Sequence, residues 1–368
     1  MTTTAATSDL IGQPVAALDT PALWVDLDAL DHNITTMAGI CAEHGIDWRP
    51  HVKASKSPDL AKRLIAGGAC GITCAKVGEA EVMAEAGVTN ILIANEIVGP
   101  RKIDRLVGLA ARATLCVAVD DERNLREVSA AAARAGVHID VLVDINVGAN
   151  RCGVSPAKAA ELAQLAIELP GVALRGLMGY EGHVMGMGPE DKEAESARAA
   201  DILREAIASL RAAGIEPRVV SGGGTGNYWI ASMLGALTEL QAGGGVLLDQ
   251  SYSDQMKVPG HRHALFLTAQ IVSTAVAGRA IADAGWKASG MHTGLPRVVD
   301  PGGLEVLRLN AEHTILSRAE GAGIDPGDRV TMIPHYSDST MLLHRTLYAV
   351  RKGVVEAVWP ITAAGMLQ

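Results

Sequence analysis

At 368 residues the chain is too long for one ordinary core, and long enough for a barrel of about 250 residues plus a smaller domain. Apolar residues make up 48% and charged residues 20%, the balance of a globular protein with ample core, and a net charge of −9 argues against nucleic acid or an anionic membrane as partner. No apolar stretch approaches the roughly eighteen residues needed to cross a bilayer.

The opening residues, Met1-Thr2-Thr3-Thr4-Ala5-Ala6, are polar and lack a charged-then-apolar signal pattern, so a cytoplasmic location is expected. From about residue 22 to 240, short apolar runs alternate with amphipathic stretches rich in Ala, Glu, Arg and Leu. Strands are predicted at 22–28, 47–53, 71–75, 90–96, 114–120, 138–146, 173–181 and 216–222, with helices such as 100–113, 121–136 and 157–169 between them. Strands that alternate with helices pair in parallel through crossover helices. Eight such units predict a closed (β/α)8 TIM barrel over residues 22–240, with an open sheet of about six strands as the alternative.

The second predicted strand runs into Arg49-Pro50-His51-Val52-Lys53-Ala54-Ser55-Lys56. A lysine at the C-terminal mouth of a strand, beside a histidine and an arginine, has the placement of a Schiff-base lysine. Such an amine adds to a carbonyl best when neighbouring positive charge and partial burial favour its neutral form. In a barrel, chemistry gathers where strands end and loops begin. The third strand is followed by Lys76, the sixth by Asn150-Arg151-Cys152-Gly153, and the seventh by Tyr180-Glu181-Gly182-His183. After the eighth comes Ser221-Gly222-Gly223-Gly224-Thr225-Gly226. Successive small residues there, opening a helix, would expose backbone N–H groups to an anion, and loops seven and eight of such barrels recurrently hold phosphate. The run lacks a P-loop lysine and the dinucleotide spacing, which argues against a nucleotide. The five cysteines, Cys41, Cys70, Cys74, Cys116 and Cys152, form neither an even framework nor a CxxC pair. They read as reduced thiols, and the Cys70–Cys74 spacing as core rather than metal ligand.

After Gln241 the pattern changes. Strands are predicted at 264–276, 278–284, 304–309, 329–333, 343–350 and 354–361 with hardly a helix between them. Residues 241–368 therefore read as a mostly antiparallel β domain, which residues 1–21 are expected to join.

A Schiff-base lysine and a phosphate cradle at one barrel mouth point to pyridoxal phosphate. Several stretches carry a resemblance: 20–30, 49–56, Lys76-Val77-Gly78-Glu79-Ala80-Glu81, 148–153, 221–228, Asp283-Ala284-Gly285 and Glu312-His313. Through them the chain resembles the fold-type III pyridoxal-phosphate enzymes of the D-threonine aldolase, D-serine dehydratase and 3-hydroxyaspartate aldolase group, with an alanine racemase-like barrel. The resemblance implies that Lys53 is the Schiff-base lysine, that Arg151 contacts the cofactor ring or its phenolic oxygen, and that Tyr180 lies against or beside the pyridine. It further implies that Ser221, Gly223, Gly224, Thr225 and Gly226 belong to the cofactor site. His183 is a candidate base or supporting group.

The family also binds a divalent metal through a late loop, which here reads Ile333-Pro334-His335-Tyr336-Ser337-Asp338. Aligned without a gap, Tyr336 occupies the family histidine's place; with the loop shifted by one residue, His335 and Asp338 would be the ligands of Mn, Mg or Zn, and metal-free operation is the alternative. Ser55 likewise stands where many relatives have a second histidine. The expected activity is a lyase cleaving D-β-hydroxy-α-amino acids, D-threonine aldolase-like, to glycine or a substituted glycine plus an aldehyde. The alternatives are a D-serine or 3-hydroxyaspartate dehydratase, an amino-acid racemase, and a non-catalytic cofactor carrier. A homodimer is expected from the resemblance.

Overall fold

The computed structural model describes residues 9–319 and 323–368. They fall into two compact units, and most of the second, comprising residues 37–53, 61–243 and 366–368, is the barrel. Its strands are β2 (Asp47–Trp48), β3 (Ile72–Cys74), β4 (Asn90–Glu96), β5 (Thr114–Val119), β6 (Ile139–Asp144), β7 (Val172–Gly179), β8 (Val219–Gly222) and β9 (Glu239–Leu240). They are parallel, in the order β2-β9-β8-β7-β6-β5-β4-β3. The two ends meet through a parallel bridge between His51 and Thr73, and the Thr73 N–H donates to the Pro50 carbonyl at 2.9 Å. The long run predicted at 47–53 breaks because Pro50 has no N–H to give to a ladder.

Inside the barrel, Leu92, Ala118, Leu142 and Met178 of four successive strands pack as one layer. Burying a side chain such as Leu142 stabilises the fold by about 1.5–3 kcal/mol. The helices between strands begin and end on local signals. Asp121 caps helix Glu122–Ala135 by accepting from the Asn124 N–H at 2.8 Å, and Gly136 closes it at φ +66°. Pro100 and Pro156 each open a helix, where the missing N–H costs nothing.

The first predicted barrel strand is corrected. β1 (Ala22–Asp26) belongs to the other unit, residues 9–36, 54–60 and 244–365, and β9 completes the barrel in its place. β1 lies antiparallel to β10 (Leu265–Ser273), with Ala22 opposite Thr268, and parallel to β16 (Thr346–Arg351), with Trp24 opposite Tyr348. Trp24 stacks on Phe266 at 4.6 Å and donates its indole N–H to Thr268 Oγ1 at 2.9 Å. These cross-strand contacts are what draw the strand out of the barrel.

The remaining strands of this unit are β11 (Arg279–Ala282), β12 (Arg297–Asp300), β13 (Leu304–Leu309), β14 (Thr314–Arg318), β15 (Arg329–Ile333) and β17 (Val354–Pro360). They extend the sheet in the order β13-β14-β11-β10-β1-β16-β17, with β15 on β10 and β12 on β15. All pairs but β1 with β16 are antiparallel. Strands β12 and β14 were not predicted, being short and bounded by charged residues. The N-terminal segment joins this unit as expected: the Gly12 N–H donates to Val355 and the Val15 N–H to Gly353. Residues 1–8 of that expectation lie outside the described residues.

Candidate active site

The chemistry-bearing side chains of the barrel unit stand just beyond the C-terminal ends of its strands. Past β2 and Pro50 the chain makes a short 3-10 turn, Val52–Ala54, which holds Lys53. The Lys53 N–H donates to His51 Nδ1 at 3.3 Å, and its Nζ lies 5.9 Å from the centre of the Tyr180 ring. Tyr180 follows β7 directly. On the same ring stands Arg151, its guanidinium carbon 5.5 Å from the centre. Two cations therefore flank one phenol ring. Lys56, the other lysine of the octet, belongs to the β unit, where its carbonyl accepts from the Ala363 N–H.

The loop that presents Arg151 is built by its own sequence. Asn146 Oδ1 accepts from the N–H groups of Gly148 and Asn150, both at 3.1 Å, which folds the loop back on itself. Asn150 at φ +51° and Gly153 at φ +98° make the reversal. A Cβ at Gly153 would lie 2.5 Å from the Asn146 nitrogen, so only glycine fits. Gly148 leaves room for His183: a Cβ there would stand 3.0 Å from His183 Nε2. His183 Nδ1 is buried with no hydrogen-bond partner, an acceptor or donor position held in reserve.

The glycine run after β8 divides by role. Ser221 is still within β8 and points inward. Its hydroxyl donates to Glu239 Oε1 at 2.7 Å and accepts from Gln241 at 3.0 Å. Glu239 also pairs with Arg49 at 2.6 Å, so Arg49 is held in a buried ion pair within the barrel. Gly223 takes φ +77°, and a Cβ at Gly224 would lie 2.8 Å from Met185 Cε and 2.9 Å from Tyr180 Cε2. The helix that follows, Tyr228–Met233, spans six residues. Any anion site here thus rests on the loop's own N–H groups.

Lys76 stands at the start of the helix after β3. It caps the helix Val77–Glu85, where its N–H and that of Ala75 both donate to Glu79 Oε2.

Sequence reasoning missed two features. The first is Glu181, which is buried beneath the glycine loop and bonded to it. An acid ending an apolar strand was its only signal. The second is a cluster beside Arg151. Asp144, at the end of β6, meets Glu96, and burial followed by the Glu96 charge pushes Asp144 up to about 8. Glu96, Asp120 and Cys152 also bring their ligand-type atoms within 4.8 Å of one another. Burial, then Glu96, pushes the Cys152 thiol up to about 11, so the thiol is neutral. We assign no cation to this cluster.

The cluster has a consequence for stability. Unfolded, the Asp144 carboxyl ionises near pH 4, while folded it keeps its proton to about 8. The folded chain thus binds the extra proton across that window, and this group's contribution to stability falls as pH rises through it. Urea unfolding of Asp144→Asn should accordingly show a flatter loss of stability between about pH 5 and 8 than the parent. Parallel slopes for the two proteins would remove the raised carboxyl from the account.

In the β unit, β15 ends at Ile333 and leads to His335, which is 5% exposed. Its Nδ1 is 2.9 Å from Thr293 Oγ1 and its Nε2 is 3.4 Å from Gln255 Nε2. Burial pushes His335 down, which keeps the imidazole neutral. Asp338 lies in the short helix Ser337–Met341. Ser337 is taken up by buried Asp249, whose Oδ2 accepts from both its N–H and its hydroxyl. Tyr336 packs its ring against Tyr252 at 5.9 Å and His292 at 5.4 Å. Among the described residues, His335 and Asp338 form no group of three ligand side chains.

The family model for the alanine racemase N-terminal domain matches residues 25–249, and one for a serine dehydratase domain matches residues 264–350. A 3-hydroxy-D-aspartate aldolase of Paracoccus denitrificans (strain Pd 1222) is 36% identical, over 97% of this chain and 95% of the relative. A D-threonine aldolase of Arthrobacter sp is 40% identical, over 96% and 95%. The crystal structure of D-threonine aldolase from Filomicrobium marinum matches with a TM-score of 0.94 at 39% identity, covering 97% of this chain and 99% of that one.

Proposed function

We propose that this chain, which belongs to the alanine racemase-like family that includes D-threonine aldolases and 3-hydroxy-D-aspartate aldolases, is a pyridoxal phosphate-dependent lyase. It cleaves D-configured β-hydroxy-α-amino acids to glycine or a substituted glycine and an aldehyde. The observation that carries this reading is the placement of Lys53 and Arg151 over the Tyr180 ring, at 5.9 and 5.5 Å, beside a glycine loop with no room for a Cβ at Gly224. These residues fit the cofactor. Lys53 would hold its carbonyl carbon covalently, Arg151 its phenolic oxygen or ring, Tyr180 the pyridine face or edge, and the loop around Thr225 and Gly226 its phosphate.

Bound there, the cofactor supplies an electron sink for the pair released when the Cα–Cβ bond breaks. The chain's own residues do the rest. Arg151 places positive charge at the ring. Lys53 would give up its bond to the cofactor's carbonyl carbon in exchange for the substrate's amino group and so become a free amine. His183 Nδ1, buried and without a hydrogen-bond partner, is the atom we assign to take the β-hydroxyl proton.

A divalent metal is proposed on His335 and Asp338, a neutral imidazole and a carboxylate. Two side-chain ligands leave the remaining positions of Mn, Mg or Zn to oxygen atoms from water or substrate. Metal analysis of the purified protein tests this: about one equivalent in the parent and none in Asp338→Ala is expected. A metal-free parent with full turnover would remove it. We further propose a cytoplasmic homodimer. No helix among the described residues is long and apolar enough to cross a membrane.

The second reading is a dehydratase, favoured by the serine dehydratase domain match over residues 264–350. It would release water, ammonia and a keto acid. A panel of D- and L-β-hydroxy amino acids with product identification separates the two. Glycine plus an aldehyde, from D substrates only, is the expected result. A keto acid with ammonia would give the site to the dehydratase reading.

A further inference from the structure

Between the loop after β7 and the loop after β8 lies a small polar network with no access to solvent. Glu181, 5% exposed, follows Tyr180 and turns inward. Its Oε1 accepts from Asn227 Nδ2 at 2.9 Å and its Oε2 accepts from the Gly223 N–H at 3.2 Å. Asn227, fully buried, returns the contact: its Oδ1 accepts from the Gly224 N–H at 3.2 Å, and its Nδ2 also reaches Ser196 Oγ at 3.2 Å. Beside them the buried ammonium of Lys192 donates to the Gly226 carbonyl at 2.9 Å. The Asn227 N–H donates to the Gly224 carbonyl at 3.2 Å.

Two N–H groups of the glycine run, those of Gly223 and Gly224, are thus spent inside the protein. A buried carboxyl is costly unless its oxygens are met by donors, and here both are met. Burial, the largest influence, pushes Glu181 up, and its bonds from Asn227 and the Gly223 N–H oppose that. Glycine loops have large conformational freedom, and an anion bound by such a loop must otherwise offset the entropy of ordering it.

We propose that Glu181 is a positioning residue for the cofactor phosphate: through Asn227 and Gly223 it fixes the glycine loop in the shape that receives the anion. The inference rests on the cofactor reading given above. It also narrows that reading, because Ser221 and the Gly223 N–H serve Glu239 and Glu181. Since Glu181 adjoins Tyr180 in the chain, the same residue ties the ring contact to the phosphate contact.

The test compares the affinities of the full chain, stripped of cofactor, for pyridoxal phosphate and for pyridoxal, which lacks the phosphate. In Glu181→Gln the side chain keeps its shape but has one oxygen for two donors, so an N–H must face an N–H. The preference for pyridoxal phosphate over pyridoxal should drop about tenfold to a hundredfold, with pyridoxal affinity unchanged. Adding Asn227→Asp to that variant restores complementarity, since the new carboxylate accepts from the new amide and from the Gly224 N–H. The preference should return. Equal loss of both affinities in the single variant, or an unaltered preference, overturns the role of Glu181. A parent chain with no preference for the phosphorylated form would instead overturn the phosphate cradle itself.

Discussion

Replacing Lys53 with alanine should leave a folded chain with turnover lowered on the order of a thousandfold or more, about 4 kcal/mol of barrier. The fold should survive because Lys53 is half-buried in a short turn after β2 and its backbone contact runs through the N–H, which alanine retains. Activity should not, because the Lys53 amine, 5.9 Å from the centre of the Tyr180 ring, is the nucleophile that alanine removes. Lys56 is the nearest lysine in sequence, and its carbonyl is bound to Ala363 in the other unit. Added primary amines should restore part of the loss, since the missing group is a nucleophile rather than a scaffold. Turnover within tenfold of the parent would move the covalent attachment elsewhere.

The second large effect is expected at Gly224. A valine there begins with a Cβ 2.8 Å from Met185 Cε and 2.9 Å from Tyr180 Cε2. The methionine tip can swing away. The tyrosine ring cannot move freely, because Gly182 also lies against it, where a Cβ would stand 2.6 Å from Tyr180 Cε1. Tyr180 is therefore pinched between two glycines, and overfilling one side must shift the ring or the loop. Such overpacking costs about 1–3 kcal/mol, so cofactor affinity should fall about fivefold to a hundredfold in Gly224→Val. Gly186→Ala serves as the comparison, since nothing lies within 4 Å of its added Cβ, and should bind as the parent does. Matching affinities in both variants would put the cradle elsewhere.

Much of the barrel was legible because its signal is local. In Ile139–Asp144 four of the six residues are Ile, Val or Leu, and the helices between strands carry caps such as Asp121 and Gly136. Lys53, Arg151, Tyr180 and His183 could be read for the same reason: each follows a strand end. What failed was sheet membership. β1 is followed by a helix, Leu27–Glu43, just as a barrel strand would be. Only its pairing with residues some 240 positions later, Trp24 against Phe266 and Thr268, assigns it to the other sheet. β9, two residues long, has no pattern to read.

Within the site, direction was the hidden quantity. Ser221 and Gly223 stand two residues apart, yet one side chain faces Glu239 inside the barrel and the other residue bonds Glu181. Spacing along the chain cannot tell which groups are already spoken for, and that depends on partners from other strands. Glu181 was invisible as a functional residue because its partners, Asn227 and the Gly223 N–H, come from the segment after β8, 46 and 42 residues further along the chain.

Borohydride reduction of the cofactor-loaded protein, followed by peptide mapping, asks the central question most directly. If the mouth of this barrel holds pyridoxal phosphate as described, reduction fixes the pyridoxyl mass on the peptide at Lys53 and bleaches the yellow absorbance in step. Label on Lys56 or Lys76, or a chain that takes up no label at all, would contradict the account.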